Sequence, residues 1–483
     1  MKELLKSVSK LSLSTLSNIA SAVIRNKILA LIVGPAGIGI YSQLVNISTL
    51  FTAVLPIGSV GFVRYTSKFF KDNNVYEINY LVKYFLFRNL YISIFLAIFL
   101  IVFSEIISQL LFSRSDFSNL LIIFSLSIPF SLLFNFIDAY FRGLRKMNKY
   151  VLFLVLSSFT NVLVNVPLIY FFGLYGAILS FVLLSLINTT IGIFILKRIK
   201  LIPNLKKTKK VDRNVISDIY KVGLGSVLAM VMHQLTFIIV RSNIASELGL
   251  GSVGIFQSVY AISVNYFGIF FVLLATYSIP KFSTFKTNHE NNQELNTTLK
   301  FLLILYTPLI IIMFTFRTFF ISILYSDEFL SAKDLLIFQL SGDFFRALSW
   351  VFNIWLIPNL KIKQWIIFDL IFYLLFFGLF YYMLNSDFGI KSVSIAYLLA
   401  YGFYLIINFA YTKYSLAFKY RNKNLKSLIV SFIVLVTAFI ISEYNEYYGY
   451  LTILPIILIW MFFVVKKQDY LNLISILSTK IKR

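Results

Sequence analysis

The residues whose types and spacing point most directly to chemistry lie near the N-terminus: Ser14, Asn18, Ser21 and Arg25. They are four, three and four residues apart, so on an α-helix they lie within about 60° of one another and form one polar stripe. The guanidinium of Arg25 presents a planar fork of N–H donors that suits a phosphate or a diphosphate. The stripe therefore predicts contact with an anion, and an ion pair with a neighbouring helix is the alternative.

Two further residues are candidates for coupling to an ion gradient. His233 could change its protonation near physiological pH, whereas a simple hydrogen bond to a neighbouring helix is the alternative. Asp343 lies three residues before Arg346, so the two side chains can pair on one helix face, and such mutual neutralisation is the alternative there. Asp138 lies near the end of an apolar segment, where we expect it to be interfacial.

Several classes of chemistry are excluded by what the chain lacks. It has no cysteine and two histidines, which excludes thiol chemistry and argues against a structural zinc site. Its glycine turns lack the Lys-Ser/Thr pair of a phosphate-binding loop, and no His-Glu-x-x-His motif occurs. The sequence therefore predicts no catalytic residue, no metal and no cofactor, and it is not typical of an enzyme.

The elements that must position these residues are membrane helices. Hydrophobic residues make up 59% of the 483-residue chain, charged residues 13%, and the mean hydropathy is +0.83, which is typical of a polytopic membrane protein. The apolar segment 11–33 is long enough to cross about 30 Å of hydrocarbon, with Arg25 deep inside it. A guanidinium facing lipid at that depth costs several kcal/mol, so the stripe must face other helices or a water-filled cavity. Residues 34–39, Gly-Pro-Ala-Gly-Ile-Gly, then predict a tight hairpin turn.

The lysines and arginines lie mostly in the loops on one side of the predicted membrane topology. If the chain makes fourteen spans with its N-terminus inside, 35 of the 44 lysines and arginines lie in loops and tails on one side and four on the other. Such a bias places both termini in the cytoplasm. The net charge of +24 is thereby accounted for, which argues against a nucleic-acid partner. No predicted outer loop is large enough to hold a folded catalytic domain.

The second half of the chain repeats the first at an offset of 215 or 216 residues. Residues 249–256 match residues 34–41, Arg241 matches Arg25, Gln234 matches Asn18, and residues 388–390 match residues 172–174. The repeat predicts two six-helix lobes of the same orientation, related by a pseudo-twofold axis along the membrane normal. The expected boundaries are a first lobe at 1–200, a cytoplasmic connector at 201–221, a second lobe at 222–411, and two extra helices with a basic tail at 412–483.

The pair of glycine hairpins resembles a known family. Residues 25–30, residues 34–39 and Gly58-Ser59-Val60-Gly61 look like the start of polysaccharide-export transporters, and are most similar to O-antigen (Wzx-type) flippases of the multidrug/oligosaccharidyl-lipid/polysaccharide (MOP) exporter superfamily, which also contains the multidrug and toxic-compound extrusion (MATE) transporters. The resemblance implies a MOP/MATE-like fold in a bacterial inner membrane. It also implies that an undecaprenyl-diphosphate-linked oligosaccharide, such as an O-antigen repeat unit, passes to the periplasmic leaflet. In related lipid II flippases a first-helix arginine is thought to meet the diphosphate, and Arg25 holds that place.

Together these observations predict a flippase that works by alternating access. Arg25 and Arg241 would hold the diphosphate, while Asn18, Ser21 and Gln234 complete the cavity, and His233 or Asp343 would provide coupling. Beyond the lipid-linked substrate and membrane lipids, the resemblance implies a polysaccharide polymerase and a chain-length regulator as partners. A MATE-like drug or cation antiporter remains open as an alternative, as does a membrane polymerase or glycosyltransferase.

Overall fold

Sharp bends at glycine residues, called corners below, divide the longest helices into pairs of spans. The computed structural model describes residues 2–53, 60–284, 287–444 and 446–465, so Gly58-Ser59 and the basic tail 466–483 lie outside the described residues. Three long helices, α1 (Lys2–Ala53), α7 (Met147–Arg198) and α8 (Arg213–Tyr260), are interrupted at Gly34, Gly173 and Gly249 respectively. A straight helix of 52 residues would measure roughly 80 Å, far more than the hydrocarbon core of a bilayer. Each of these helices therefore supplies two spans.

The number of membrane helices follows from these corners. In the part of the chain that the structure describes, eleven helical segments are long and apolar enough to cross a membrane, and the three with glycine corners count as two each, which gives fourteen spans. The described residues form helices and short connections. The prediction of an all-α membrane protein with about fourteen helices is confirmed.

The chain forms two compact units. The first comprises Met1–Gln257 and Ile323–Phe329. Its remaining helices are α2 (Val60–Lys71), α3 (Val75–Val102), α4 (Ser104–Phe112), α5 (Ser118–Ser125) and α6 (Ser127–Gly143). Residues 222–257 pack in this unit, although the repeat assigns them to the second lobe. The lobes at 1–200 and 222–411 are defined by sequence repetition, and their boundaries stay a prediction.

The second unit comprises Ser258–Ser322 and Leu330–Arg483. It begins in a π-helical turn, Ala261–Tyr266, that leads into α9. Its helices are α9 (Gly268–Phe282), α10 (Asn288–Thr315), most of α11 (Arg317–Leu324), α12 (Ala332–Asn353), α13 (Ile362–Leu384), α14 (Lys391–Leu416), α15 (Asn422–Tyr444) and α16 (Glu446–Val464). The π turn has one residue more per hydrogen-bonded turn than an α-helix, an arrangement that is often found at functional sites.

Within the first unit, the two matched glycine hairpins pack against each other through their backbones. A Cβ atom added to Gly39 would lie 2.6 Å from the Leu250 carbonyl oxygen, and one added to Gly254 would lie 1.8 Å from that of Pro35. Gly39 and Gly254 are themselves matched positions of the repeat. This contact explains why the second hairpin belongs to the first unit, since any larger side chain would push the two backbones apart.

The corners of the chain repeat in conformation as well as in sequence. Left-handed backbone, which is unfavourable for residues other than glycine, occurs at corresponding places in the two copies. The matched pairs, with their φ angles, are Gly34 (62°) and Gly249 (83°), Gly173 (56°) and Gly389 (50°), Arg145 (53°) and Leu360 (58°), and Lys200 (56°) and Ala417 (49°). The duplicated topology predicted from the glycine turns is therefore also present in the backbone.

A buried asparagine holds the chain that follows the sixth helix of each copy. In the first unit, Asn79 accepts a hydrogen bond from the Asn204 N–H at 3.1 Å and donates to the Lys207 carbonyl at 2.9 Å. In the second unit, Asn296 accepts from the Arg421 N–H at 2.9 Å and donates to the Lys419 carbonyl at 3.0 Å. Both amides thus pair backbone groups that have no helical partner.

Replacing Asn296 by leucine is expected to release residues 417–421. Asn296 is 2% exposed, so the substitution leaves backbone groups unpaired in a buried place, at a cost of about 1–3 kcal/mol. Limited trypsin digestion at Lys419 and Arg421 should become at least about tenfold faster, because cleavage follows the population of the open segment. Thr297→Leu, an exposed neighbour, serves as the control. Equal cleavage rates in the two variants would show that the asparagine does not hold this segment.

Candidate functional site

A polar cavity of about 770 Å³ opens inside the first unit. Its walls come from α1, α6, α7 and α8. The lining residues are amides and hydroxyls (Asn18, Ser48, Thr49, Thr52, Ser131, Asn135, Ser157, Asn161, Asn165, Ser185, Asn188), charged side chains (Arg25, Asp138, Arg142), aromatic rings (Tyr41, Phe134, Phe181) and apolar residues (Ala53, Leu132, Leu154, Leu184, Val227, Met230). Since a membrane protein buries such polar groups at a cost unless they are hydrogen-bonded, a cavity this polar is suited to water or a polar solute.

Arg25 lines this cavity from the first half of α1, before the Gly34 corner. Its Nε and Nη2 atoms donate to the Asn26 side-chain oxygen at 3.3 and 3.2 Å, and its Cζ lies 5.8 Å from the centroid of the Tyr41 ring. Among the described residues, no carboxylate oxygen lies within 4.0 Å of this guanidinium. The geometry therefore does not show the ion pair that was the alternative for Arg25, and leaves the positive charge available to an anion.

Arg241, which matches Arg25 in the repeat, is placed differently. Its side chain is 1% exposed, donates to the Phe237 carbonyl at 3.2 Å and to the Gln257 side-chain oxygen at 2.7 Å, and lies 5.4 Å from the Phe256 ring centroid. Both arginines thus stack on the aromatic residue at the matching position of the opposite hairpin arm. Only Arg25 lines the described cavity in this conformation, so a shared diphosphate site with Arg241 stays a prediction.

The other residues of the predicted stripe are only partly brought together. Asn18 lines the cavity beside Arg25, whereas Ser21 is 7% exposed and lies outside the described lining. Gln234 and His233 are half-buried and are not part of that lining either. His233 packs against Phe237 at a ring-centroid distance of 4.8 Å. Their proposed roles stay predictions.

Asp343 belongs to the second unit and is wholly buried there. Its Oδ1 atom accepts from the Tyr397 hydroxyl at 2.9 Å and lies 3.3 Å from Arg346 Nη1. Arg346 also stacks over Phe271 at 5.0 Å. The pairing within one helix that was predicted from the spacing of three is confirmed, which makes mutual neutralisation the simplest account of both charges. A coupling role for Asp343 stays a prediction.

Helix α6 separates the cavity from the apolar core of the first unit. Phe136, Ile137, Tyr140 and Phe141 are buried in that core, and the rings of Phe136 and Phe62 lie 5.4 Å apart. The opposite side of the same helix lines the cavity with Ser131, Asn135, Asp138 and Arg142. Packing of the apolar face of α6 into the core thereby directs its polar face towards the cavity.

The wall formed by α6 was missed as a site by sequence reasoning, although a signal for it was present. Ser131, Asn135, Asp138 and Arg142 are spaced four, three and four apart, as are Ser14, Asn18, Ser21 and Arg25. Asp138 lines the cavity and pairs with Arg142 at 2.9 Å, while its expected interfacial position stays a prediction. Tyr150 donates a hydrogen bond of 2.9 Å to the same carboxylate.

Side-chain contacts fix the orientation of several amides in the cavity wall. Ser158 donates to the Asn18 side-chain oxygen, and Thr160 donates to that of Asn188 at 2.8 Å. Asn165 donates to the Asn161 side-chain oxygen at 3.2 Å. With their oxygens engaged, Asn18 and Asn188 keep their NH₂ groups as donors towards the cavity.

Comparison with known proteins shows which family model and which relatives the chain is similar to. Residues 4–286 match the family described as "Polysaccharide biosynthesis protein". The lipid III flippases of Escherichia coli (strain K12) and Shigella flexneri are each 25% identical to it over 356 residues, which is 73% of this chain and 85% of theirs.

Solved structures show which fold the chain shares. An inward closed conformation of the lipid II flippase MurJ is 19% identical and superimposes with a TM-score of 0.71, covering 97% of this chain and 99% of that one. An inward-facing multidrug resistance MATE family transporter of the MOP superfamily is 16% identical, with a TM-score of 0.70, covering 85% of this chain and 98% of that one. The fold is that of the MOP superfamily, and these relatives are flippases and transporters rather than enzymes.

Proposed function

The chain belongs to the family of polysaccharide biosynthesis proteins, and from this premise we propose that it is a flippase for a lipid-diphosphate-linked oligosaccharide. The substrate would be an undecaprenyl-diphosphate-linked repeat unit, an O-antigen or a similar glycan, moved from the cytoplasmic to the periplasmic leaflet of a bacterial inner membrane. Both termini would lie in the cytoplasm, as the distribution of lysine and arginine predicts. A polymerase and a chain-length regulator would use the product.

The observation that carries this proposal is the position of Arg25. Its guanidinium lies in a membrane-spanning helix, in the lining of a cavity rich in amides and hydroxyls, without a carboxylate partner in the described part of the chain. A diphosphate supplies the missing charge, and sugar hydroxyls can exchange hydrogen bonds with water for hydrogen bonds with the wall. The lipid chain would remain in the bilayer while the head group crosses.

Alternating access is the transport mechanism that this fold supports best. Tyr41, which lines the cavity, follows Gly39 of the backbone contact between the two glycine hairpins by two residues. A head group that enters from one side would need that contact to open before it leaves on the other. A drug or cation antiporter with the same fold is less well supported, because Arg25 would repel a cation and the Asp138 carboxylate is already paired with Arg142.

The function is tested by following the head group across a membrane. Purified protein is reconstituted into liposomes that contain an undecaprenyl-diphosphate disaccharide with a terminal galactose, and accessibility to externally added galactosidase is measured over time. About half of the glycan should be cleaved in empty liposomes and nearly all of it in proteoliposomes. Ethidium uptake by the same vesicles tests the antiporter. Transport of ethidium without any gain in cleavage of the glycan would contradict the proposal.

A further inference from the structure

The charges that line the cavity limit the kind of glycan it can accept. Three of its described lining residues are charged, and two of them, Asp138 and Arg142, neutralise each other across 2.9 Å. Arg25 is left as the unpaired charge of the described lining. In the proposed function that charge is taken by the diphosphate, so the rest of the wall meets the sugars with neutral groups.

Those neutral groups match uncharged sugars. Eleven of the described lining residues are asparagine, serine or threonine. The amide NH₂ groups of Asn18 and Asn188, directed by the hydrogen bonds to their oxygens, can donate to hydroxyl or acetamido oxygens. Each such bond replaces one that the sugar made to water, so transfer into the cavity leaves few groups unpaired.

A carboxylated sugar would meet a different environment. Its charge loses part of its hydration where the wall replaces water, and a partly desolvated charge without a countercharge is unfavourable. Arg142 could supply a cation, but Asp138 already accepts its hydrogen bond, and Tyr150 holds that carboxylate in place at 2.9 Å. Asp138 would also repel the incoming carboxylate directly.

We propose that the cavity selects uncharged saccharides that bear hydroxyl or acetamido groups, and that Asp138 excludes acidic sugars by occupying Arg142. This inference rests on the proposed function and defines its substrate class. Asp138 acts here as a specificity-determining residue. Its carboxylate removes a cation from the reach of the glycan and adds a repulsive charge at the same point in the wall.

The test compares three synthetic probes on the full chain in lipid nanodiscs. The first is farnesyl diphosphate, the second carries a disaccharide ending in glucose, and the third carries the same disaccharide ending in glucuronic acid. Dissociation constants are measured at one ionic strength for the wild type, for Asp138→Asn and for the double variant Asp138→Asn/Arg142→Gln. A farnesyl chain replaces undecaprenyl in all three probes, so differences in affinity report the glycan alone.

The wild type is expected to bind the glucose probe at least about tenfold more tightly than the glucuronate probe. Asp138→Asn should reduce this preference to less than about threefold, because it frees Arg142, and the double variant should restore the preference. The inference is overturned if the wild type binds the glucose and glucuronate probes equally tightly, or if Asp138→Asn leaves the preference for glucose unchanged. In either case, tight binding of both glycan probes would still support the flippase. If neither glycan binds better than farnesyl diphosphate, the proposed function itself fails, and the inference fails with it.

Discussion

Arg25→Ala is expected to reduce transport of the lipid-linked glycan about 100-fold. The guanidinium can give a diphosphate two charge-assisted hydrogen bonds, together worth about 3 kcal/mol, which corresponds to a factor of about 100. Because Arg25 contacts Asn26 and the Tyr41 ring rather than a carboxylate, its removal leaves no buried countercharge behind. The loss should therefore appear in transport and not in folding.

The measurement is the galactosidase assay with reconstituted protein, at equal protein content. Arg25→Lys retains the charge but not the planar fork, so its transport should lie between that of the wild type and that of the alanine variant. Arg114→Ala removes a positive charge from an exposed loop, where it pairs with Asp116 at 3.6 Å, and should transport normally. Undiminished transport by Arg25→Ala would remove this arginine from the mechanism.

Gly254→Ala is expected to destabilise the protein, whereas Gly251→Ala in the same hairpin is not. The added methyl group at position 254 would lie 1.8 Å from the Pro35 carbonyl oxygen, so the hairpins must separate, at a cost of about 1–3 kcal/mol or more. At position 251 an added Cβ meets nothing within 4 Å, and alanine has the higher helix propensity. The two substitutions therefore make the same chemical change but are expected to shift the stability of the protein in opposite directions.

Thermal unfolding in detergent, followed by far-ultraviolet circular dichroism, separates the two outcomes. The Gly254→Ala protein should unfold at a lower temperature than the wild type, and the Gly251→Ala protein at the same or a higher one. Gly39→Ala provides a second observation, because its Cβ would lie 2.6 Å from the Leu250 carbonyl oxygen. If both Gly254→Ala and Gly39→Ala unfold no earlier than the wild type, the close backbone contact does not contribute to stability.

Much of the fold could be predicted from local features of the sequence. Hydropathy and length defined the spans, and Gly34 and Gly249 marked corners because glycine alone adopts a left-handed backbone without strain. Arg25 and Asn18 were placed in a cavity because a polar stripe on an apolar helix cannot face lipid. These predictions depend on neighbours within a few residues along one helix.

What could not be predicted depends on residues that only the fold brings near. Arg241 holds the position of Arg25 in the repeat, yet the Gln257 amide and the Phe256 ring from the opposite hairpin arm enclose it. Helix α6 lines the cavity with its polar face because its other face packs into the aromatic core. A stripe with spacings of four, three and four indicates a polar face, but does not say what that face meets.

The repeated left-handed corners have a consequence for how the two copies can differ. Their backbones turn at corresponding residues, while the matched arginines, one facing open space and the other sealed among rings, have different surroundings. A duplicated architecture of this kind constrains the scaffold at a few bends and leaves the rest of the sequence free to diverge. Two copies of one scaffold can thus carry sites of different character.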